Sequence, residues 1–109
     1  MEINKVITLY SLAEFLTKRG HPAEFSKKDS HTVHVGLHGQ SSNKCNITQI
    51  YNSVNSSSFY VSIYTDDPDS ENIKNNINAI KVSLEKYCEY CEIKCDKIEV
   101  TIYSNKPLV

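Results

Sequence analysis

The chain is short of the residues on which several binding chemistries depend. It contains no tryptophan, three glycines, three prolines and a single arginine, Arg19. Bidentate recognition of phosphate and guanine relies on arginine. The chain therefore has few side chains suited to sequence-specific nucleic-acid recognition. The glycines are isolated from one another, so the sequence has no glycine-rich loop that could cradle a phosphate.

Net charge and long apolar runs are also lacking. Twelve basic and thirteen acidic side chains give a net charge of −1, which excludes both a basic-patch DNA binder and an acidic nucleic-acid mimic. No run approaches the ~18 apolar residues that a membrane span needs. The first ten residues include Glu2 and Asn4 and show no small-residue cleavage site, so we expect a cytoplasmic protein without a signal peptide or membrane contact.

The 109 residues predict a single domain, 1–109, which is long enough to fold around one core without disulfides. Its first element is ambiguous. Ser11 and Glu14 form a capping box, and Gly20 follows at a C-cap position, so residues 12–19 are predicted as helix. Residues 4–10 are rich in β-branched and aromatic types and could be a strand. They also continue an apolar stripe (Val6, Leu9, Ala13 and Leu16), so one longer helix is the alternative.

Alternating apolar and polar residues predict strands at 31–38, 58–65 and 98–103. Residues 45–54 are ambiguous. The spacing of their apolar residues suits a helix, whereas their isoleucine, threonine and tyrosine content favours a strand. We favour a strand, because residues 52–58 then form a plausible hairpin loop.

One long helix is predicted over about residues 68–91, with Asp67 as its N-cap and Pro68 at its first position. An unbroken apolar stripe marks its buried face. The stripe consists of Ile73, Ile77, Ile80, Leu84, Tyr87 and Cys91.

These elements predict an α+β two-layer sandwich, with an antiparallel sheet of four or five strands and two helices on one face. If residues 4–10 are a strand, the order is the ferredoxin-like βαββαβ pattern, with the 45–54 strand added. If they are helical, the order is αβββαβ.

The cysteines are the candidate metal ligands. Cys88, Cys91 and Cys95 are spaced C-x2-C-x3-C, and Cys45 lies upstream. A zinc ion could take three thiolates from this segment and a fourth ligand from Cys45 or a histidine. However, Cys88 and Cys91 lie on the apolar side of the predicted helix, where a free cysteine behaves as a small hydrophobe. We therefore expect reduced, metal-free cysteines and no cofactor.

Strand alternation directs one group of side chains away from the helices. The group comprises His34, His38, Tyr60, Ser62, Tyr64, Glu99, Thr101 and Tyr103. Tyrosine is enriched at interfaces because it offers a large contact area at low entropic cost, although β-propensity alone also favours it in exposed strands. His34, His38, Tyr60, Tyr64 and Tyr103 are the candidate partner-binding residues.

Together these features favour a non-enzymatic protein-binding module, such as an inhibitor or immunity-type antagonist of a toxin or enzyme. That narrower class rests on size and analogy alone. A single-stranded nucleic-acid-binding domain is one alternative, since exposed aromatics can stack bases, but no basic residue flanks residues 60–64. A small-molecule or metal-binding regulatory domain, suggested by the cysteines, is the other.

Overall fold

The computed structural model describes residues 5–26, 32–37 and 43–105, with side chains from residue 11 onward. His31 and His38 lie outside the described residues. The elements in chain order are helix α1 (Lys5–Lys18), strands β1 (Ala23–Phe25), β2 (Thr32–Gly36), β3 (Lys44–Ser53) and β4 (Ser56–Thr65), helix α2 (Glu71–Cys91) and strand β5 (Lys94–Ser104). Two helices and one five-stranded sheet confirm the α+β class.

The sheet has the order β1-β2-β3-β4-β5, and its strands are antiparallel except for the parallel pair β4 and β5. The ferredoxin-like order is therefore wrong, and so is the fully antiparallel sheet. Helix α2 connects β4 to β5, and a helical crossover between neighbouring strands makes them parallel.

Helix α1 is continuous from Lys5, so the strand alternative for residues 4–10 is wrong over the described part, with Asn4 outside it. The predicted capping box is also wrong, because Ser11 lies inside the helix. We attribute this to the apolar stripe, whose later members are buried in the core and outweigh the local strand propensity. Those buried members are Ala13 and Leu16.

The end of α1 confirms the predicted C-cap. Gly20 has a positive φ of 94°. Its N–H donates to the carbonyl of Thr17 at 3.1 Å, and the His21 N–H donates to the carbonyl of Leu16 at 2.9 Å. This pattern is a Schellman motif, which favours glycine at the left-handed position.

Helix α2 begins at Glu71, later than predicted, and ends at Cys91 as predicted. Ser70 is the N-cap, since its hydroxyl accepts a hydrogen bond from the Ile73 N–H at 3.2 Å. The predicted N-cap, Asp67, lies before the helix instead. Its carbonyl accepts a hydrogen bond from the Ser70 N–H. Ser70 is followed directly by the acidic Glu71, whose charge is favourable at the start of a helix.

The strand at 45–54 is confirmed as β3, but the predicted hairpin loop at 52–58 is too long. Ser53 pairs with Ser56, so the loop is reduced to Val54 and Asn55. Polar side chains of the hairpin form hydrogen bonds with one another. For example, Gln49 Nε2 donates to the Ser57 hydroxyl at 3.1 Å. The short edge strand β1 was not predicted.

Buried residues of both helices and of one sheet face form a single core. Helix α2 buries Ile73, Ile80, Leu84 and Tyr87 of its predicted stripe completely, while Ile77 and Cys91 are partly buried against the core. The inner face of the sheet contributes Val33, Val35, Cys45, Ile47, Phe59, Val61 and Ile63. Within the described ranges, no helix combines the length and apolar character that crossing a membrane requires.

Candidate functional site

Strand register brings the predicted partner-binding residues within the described chain onto one surface. His34 pairs with Asn46, Asn46 with Ser62, and Ser62 with Thr101, forming one row across four strands. Because side chains at paired positions point to the same side of a sheet, the register defines an outer face opposite the core. Its members include His34, Lys44, Asn46, Thr48, Ile50, Tyr60, Ser62, Tyr64, Lys97, Glu99, Thr101 and Tyr103. The remaining candidate, His38, lies outside the described residues.

Two tyrosines form the most exposed aromatic feature of the outer face. Tyr64 on β4 pairs directly with Tyr103 on β5. Their rings are stacked, with centroids 5.0 Å apart and planes inclined by 14°. Tyr103 retains 46% of its surface exposed, while Tyr64 is half-buried. The pair therefore presents a pre-ordered aromatic surface at the β5 edge of the face.

The third tyrosine, Tyr60, lies beside charged groups of both signs. The Lys97 ammonium is 5.7 Å from the centroid of its ring, within the range of a cation–π contact. Lys97 also forms an ion pair with Glu99 at 3.3 Å, and Glu99 is the strand neighbour of Tyr60. The charges around Tyr60 therefore compensate one another.

His34 occupies the opposite side of the outer face on β2. Its Nδ1 is hydrogen-bonded to the side-chain amide of Asn46. This hydrogen bond orients the imidazole ring on the outer face. Tyr103 lies three strands across and two residues along from His34. Strand spacing therefore places the two residues about 16 Å apart, so one partner surface can reach both.

Ile50 also lies on this face, and it was not among the residues predicted there. Ile50 is 47% exposed and pairs with Ser58 on the outer side. The signal was available, because Ile47 is buried on the inner side and strict alternation then places Ile50 outward. It was missed because the spacing of Ile47 and Ile50 also suits a helix.

The four cysteines do not converge on one point. Cys95 pairs with Ser57, and Cys45 pairs with Ile63 further along β4. Six residues of strand separate these positions by about 20 Å, so Cys45 cannot complete a metal site with Cys95. Among the described residues, no three histidine, cysteine, aspartate or glutamate side chains are grouped as metal ligands.

The thiols are also held in their protonated form. Burial raises the pKa of Cys45 to about 12. Burial likewise raises the pKa of Cys88 to about 12, and a hydrogen bond joins the Cys88 and Cys95 thiols. The pKa of Cys91 is raised by burial as well, although a hydrogen bond with Tyr87 opposes the shift. Since the thiolate is the nucleophile and the metal ligand, these environments disfavour both roles.

A serine and a histidine that are distant in sequence meet between the helices. The Ser83 hydroxyl lies 3.0 Å from His21 Nε2 and accepts a hydrogen bond from Arg19 Nε at 2.9 Å. Ser83 is only 1% exposed and His21 is buried. A substrate cannot reach this hydroxyl in the observed conformation, so the contact links the end of α1 to α2 rather than forming an accessible catalytic pair.

No protein-family model matches this chain, and neither the curated proteins nor the solved structures yielded a match. Function must therefore be inferred from the geometry of the chain itself.

Proposed function

We propose that this chain is a non-enzymatic protein-binding module that contacts its partner through the outer face of the sheet. The observation that carries the proposal is the stacked pair Tyr64 and Tyr103, with Tyr60 on the same face and the hydrophobic core on the other side. Aromatic side chains surrounded by polar residues are the usual composition of a protein–protein hot spot.

The surface is pre-organised, which favours tight association. Tyr64 and Tyr103 are held by each other, Tyr60 by Lys97, and His34 by Asn46. Side chains that are already ordered lose less conformational entropy when a partner binds. The strands that support them are anchored by the core, so the face can dock with little rearrangement.

Charge favours a protein over single-stranded nucleic acid as the partner. Binding of nucleic-acid strands combines stacking rings with a positively charged groove. Here Lys97 is paired with Glu99, and the whole chain has a net charge of −1. The ring faces of Tyr64 and Tyr103 that meet in the stack are also unavailable to a base.

Within the protein-binding class, we propose an inhibitor or immunity-type antagonist that covers a functional surface of a toxin or enzyme. This step rests on small size and analogy. A cytoplasmic location accompanies the proposal, since all four cysteines are free thiols and a reducing compartment keeps them so.

Affinity capture from the native cell tests the proposal, with the bound proteins quantified by mass spectrometry. Wild type is compared with Tyr64→Ala and with a matched control, Tyr90→Ala. Tyr90 is 73% exposed but lies on α2, away from the outer face. We expect one protein to be enriched by wild type and Tyr90→Ala and lost with Tyr64→Ala. Equal enrichment by all three variants would place the interface elsewhere, and nuclease-sensitive capture would favour nucleic acid.

A further inference from the structure

Strand β5 forms an edge of the sheet. It is the last strand in the sheet order and pairs with β4 on one side; among the described residues, no strand pairs with its other side. At eleven residues it is also the longest strand described. Long edge strands present backbone hydrogen-bonding groups that can recruit another strand, so proteins usually protect them.

The protection of β5 covers only its first half. Charged side chains occur at Lys94, Asp96, Lys97 and Glu99, whereas residues 100–103 are Val-Thr-Ile-Tyr without a charge. These are residue types with high strand propensity. Ile102 faces the inner side of the sheet, yet 39% of its surface remains exposed.

We propose that β5 pairs with β5 of a second copy of this chain, antiparallel, about a two-fold axis at Val100. This arrangement joins the two five-stranded sheets into one continuous sheet. It is an isologous contact, in which each copy contributes the same strand and the pairing closes at two subunits.

The register follows from the side chains that this axis brings together. Ile98 lies opposite the partner's Ile102, so the exposed isoleucine gains an apolar neighbour. Lys97 lies opposite the partner's Tyr103, where an ammonium beside an aromatic ring is favourable. Both contacts occur twice by symmetry, and no like charges oppose each other.

Registers centred closer to the start of β5 are less complementary. An axis at Glu99 would place that carboxylate opposite its own copy, which is destabilising. An axis at Ile98 would pair Lys97 with the partner's Glu99, but it would place Ile102 opposite the partner's Lys94 and leave Tyr103 beyond the end of the paired strand.

The dimer would present two copies of the outer face on one surface. Tyr103 is three residues from the axis, or about 10 Å along the strand, so the two stacked tyrosine pairs would flank the axis about 20 Å apart. The dimer rests on the edge strand alone and does not require that the outer face bind a partner.

The first test measures mass against concentration by light scattering or sedimentation, for wild type, Thr101→Glu and Ser62→Glu. Thr101 lies opposite the partner's Glu99 in the proposed register, so Thr101→Glu creates two like-charge pairs. We expect a wild-type dimer at micromolar concentration and about tenfold weaker dimerisation for Thr101→Glu. Ser62→Glu adds the same charge on β4, away from the edge, and should dimerise as wild type does.

Charge exchange then tests the register. Combining Thr101→Glu with Glu99→Lys places opposite charges across the axis and should restore the dimer. A monomeric wild type overturns the proposal. So does a folded Thr101→Glu variant that dimerises as wild type does.

Cross-linking gives a readout that does not depend on the stability of Thr101→Glu. Directly opposed residues in an antiparallel pair have Cα atoms about 4.5–5.5 Å apart, which suits a disulfide. In Val100→Cys, oxidised glutathione should convert the two introduced thiols to one intersubunit disulfide and be reduced to two glutathione thiols. Wild type, with its four native cysteines, and Ile98→Cys should yield no such product; equal cross-linking of all three, or none in Val100→Cys, contradicts the register.

Discussion

Glu92 closes α2 in a conformation that glycine adopts more easily. Its φ of 57° and ψ of 41° are left-handed, and it is the only described non-glycine residue with a positive φ. Its N–H donates to the Glu89 carbonyl at 3.2 Å, and the Ile93 N–H donates to the Cys88 carbonyl at 3.0 Å. Helix α2 therefore ends in the same Schellman motif as α1, but with a side chain at the strained position.

Replacing Glu92 with glycine should stabilise the protein by up to about 1 kcal/mol, because the left-handed penalty is relieved. Denaturant melts measure the free energy of unfolding. Glu85→Gly is the matched control, since Glu85 is exposed in the interior of the same helix and its replacement should cost about 1 kcal/mol. A loss of similar size for both variants would mean that Glu92 is not strained.

Cys45 predicts how stability responds to alkaline pH. Burial raises its pKa from 9.0 to about 12 in the folded protein. The unfolded chain therefore loses this proton at lower pH than the folded chain does. The stabilisation from the buried thiol is fully present below pH 9 and is lost as the pH rises toward 12.

Chemical unfolding across that pH range checks this prediction. Wild type should lose stability with rising pH, and Cys45→Val should lose less, because the variant removes one of the groups that must ionise. Other buried thiols, including Cys88, are present in both proteins, so Cys45→Val should still lose some stability as the pH rises. Identical slopes for wild type and Cys45→Val would show that Cys45 ionises equally readily in both states.

At the scale of elements, one hydroxyl links the segment after α1 to α2, in addition to the ring contacts of Phe15 with Tyr87 and Tyr90. Ser83 interacts with both Arg19 and His21, whereas most other contacts of α2 are apolar. Ser83→Ala should destabilise the protein by about 1–3 kcal/mol, because it removes a partner from the buried His21 ring. Thermal and denaturant melts provide the measurement.

Ser62→Ala is a suitable comparison for that experiment, since it deletes a half-buried hydroxyl from the outer face instead. It should change stability by about half a kcal/mol or less. If Ser83→Ala were as mild as Ser62→Ala, the hydrogen bonds between the helices would not contribute to stability.

The elements also show how far the sequence could predict the fold. Alternation alone placed His34, Tyr60, Tyr64 and Tyr103 on one face, because side-chain parity within a strand is a local property. Strand direction is not local: burial on one side is compatible with either orientation, and only the β4–α2–β5 crossover makes β5 parallel. The crossover rule could have been applied to the sequence.

Other features could not have been predicted locally. His21 and Ser83 are 62 residues apart, and neither carries a signal for the other. The helical state of residues 5–10 depends on how the following turns pack, since their own composition favours a strand. The tyrosines of the outer face could thus be predicted from the sequence, but Ile50 was missed, and the stacked and ion-paired geometry required the structure.

For the whole molecule, charge balance predicts how binding responds to salt. The net charge is −1, and the ammonium beside Tyr60 is already paired with Glu99. A protein partner should therefore bind with an affinity that changes little as salt is raised, whereas neutralising nucleic-acid phosphates would give a steep decrease. Titrations at several salt concentrations distinguish the two, and a steep slope would favour the nucleic-acid alternative.

The most direct test of the central claim is the affinity of the captured partner for Tyr64→Ala, measured by calorimetry beside wild type and Tyr90→Ala. The outer-face interface predicts a loss of at least about 2 kcal/mol, or about thirtyfold in Kd, for Tyr64→Ala. Tyr90→Ala should bind as wild type does. Tyr64→Ala should stay folded but lose about 1 kcal/mol of folding stability, because it deletes the stacking contact with Tyr103. A folded Tyr64→Ala variant with wild-type affinity would contradict the claim that the stacked tyrosines form the binding surface.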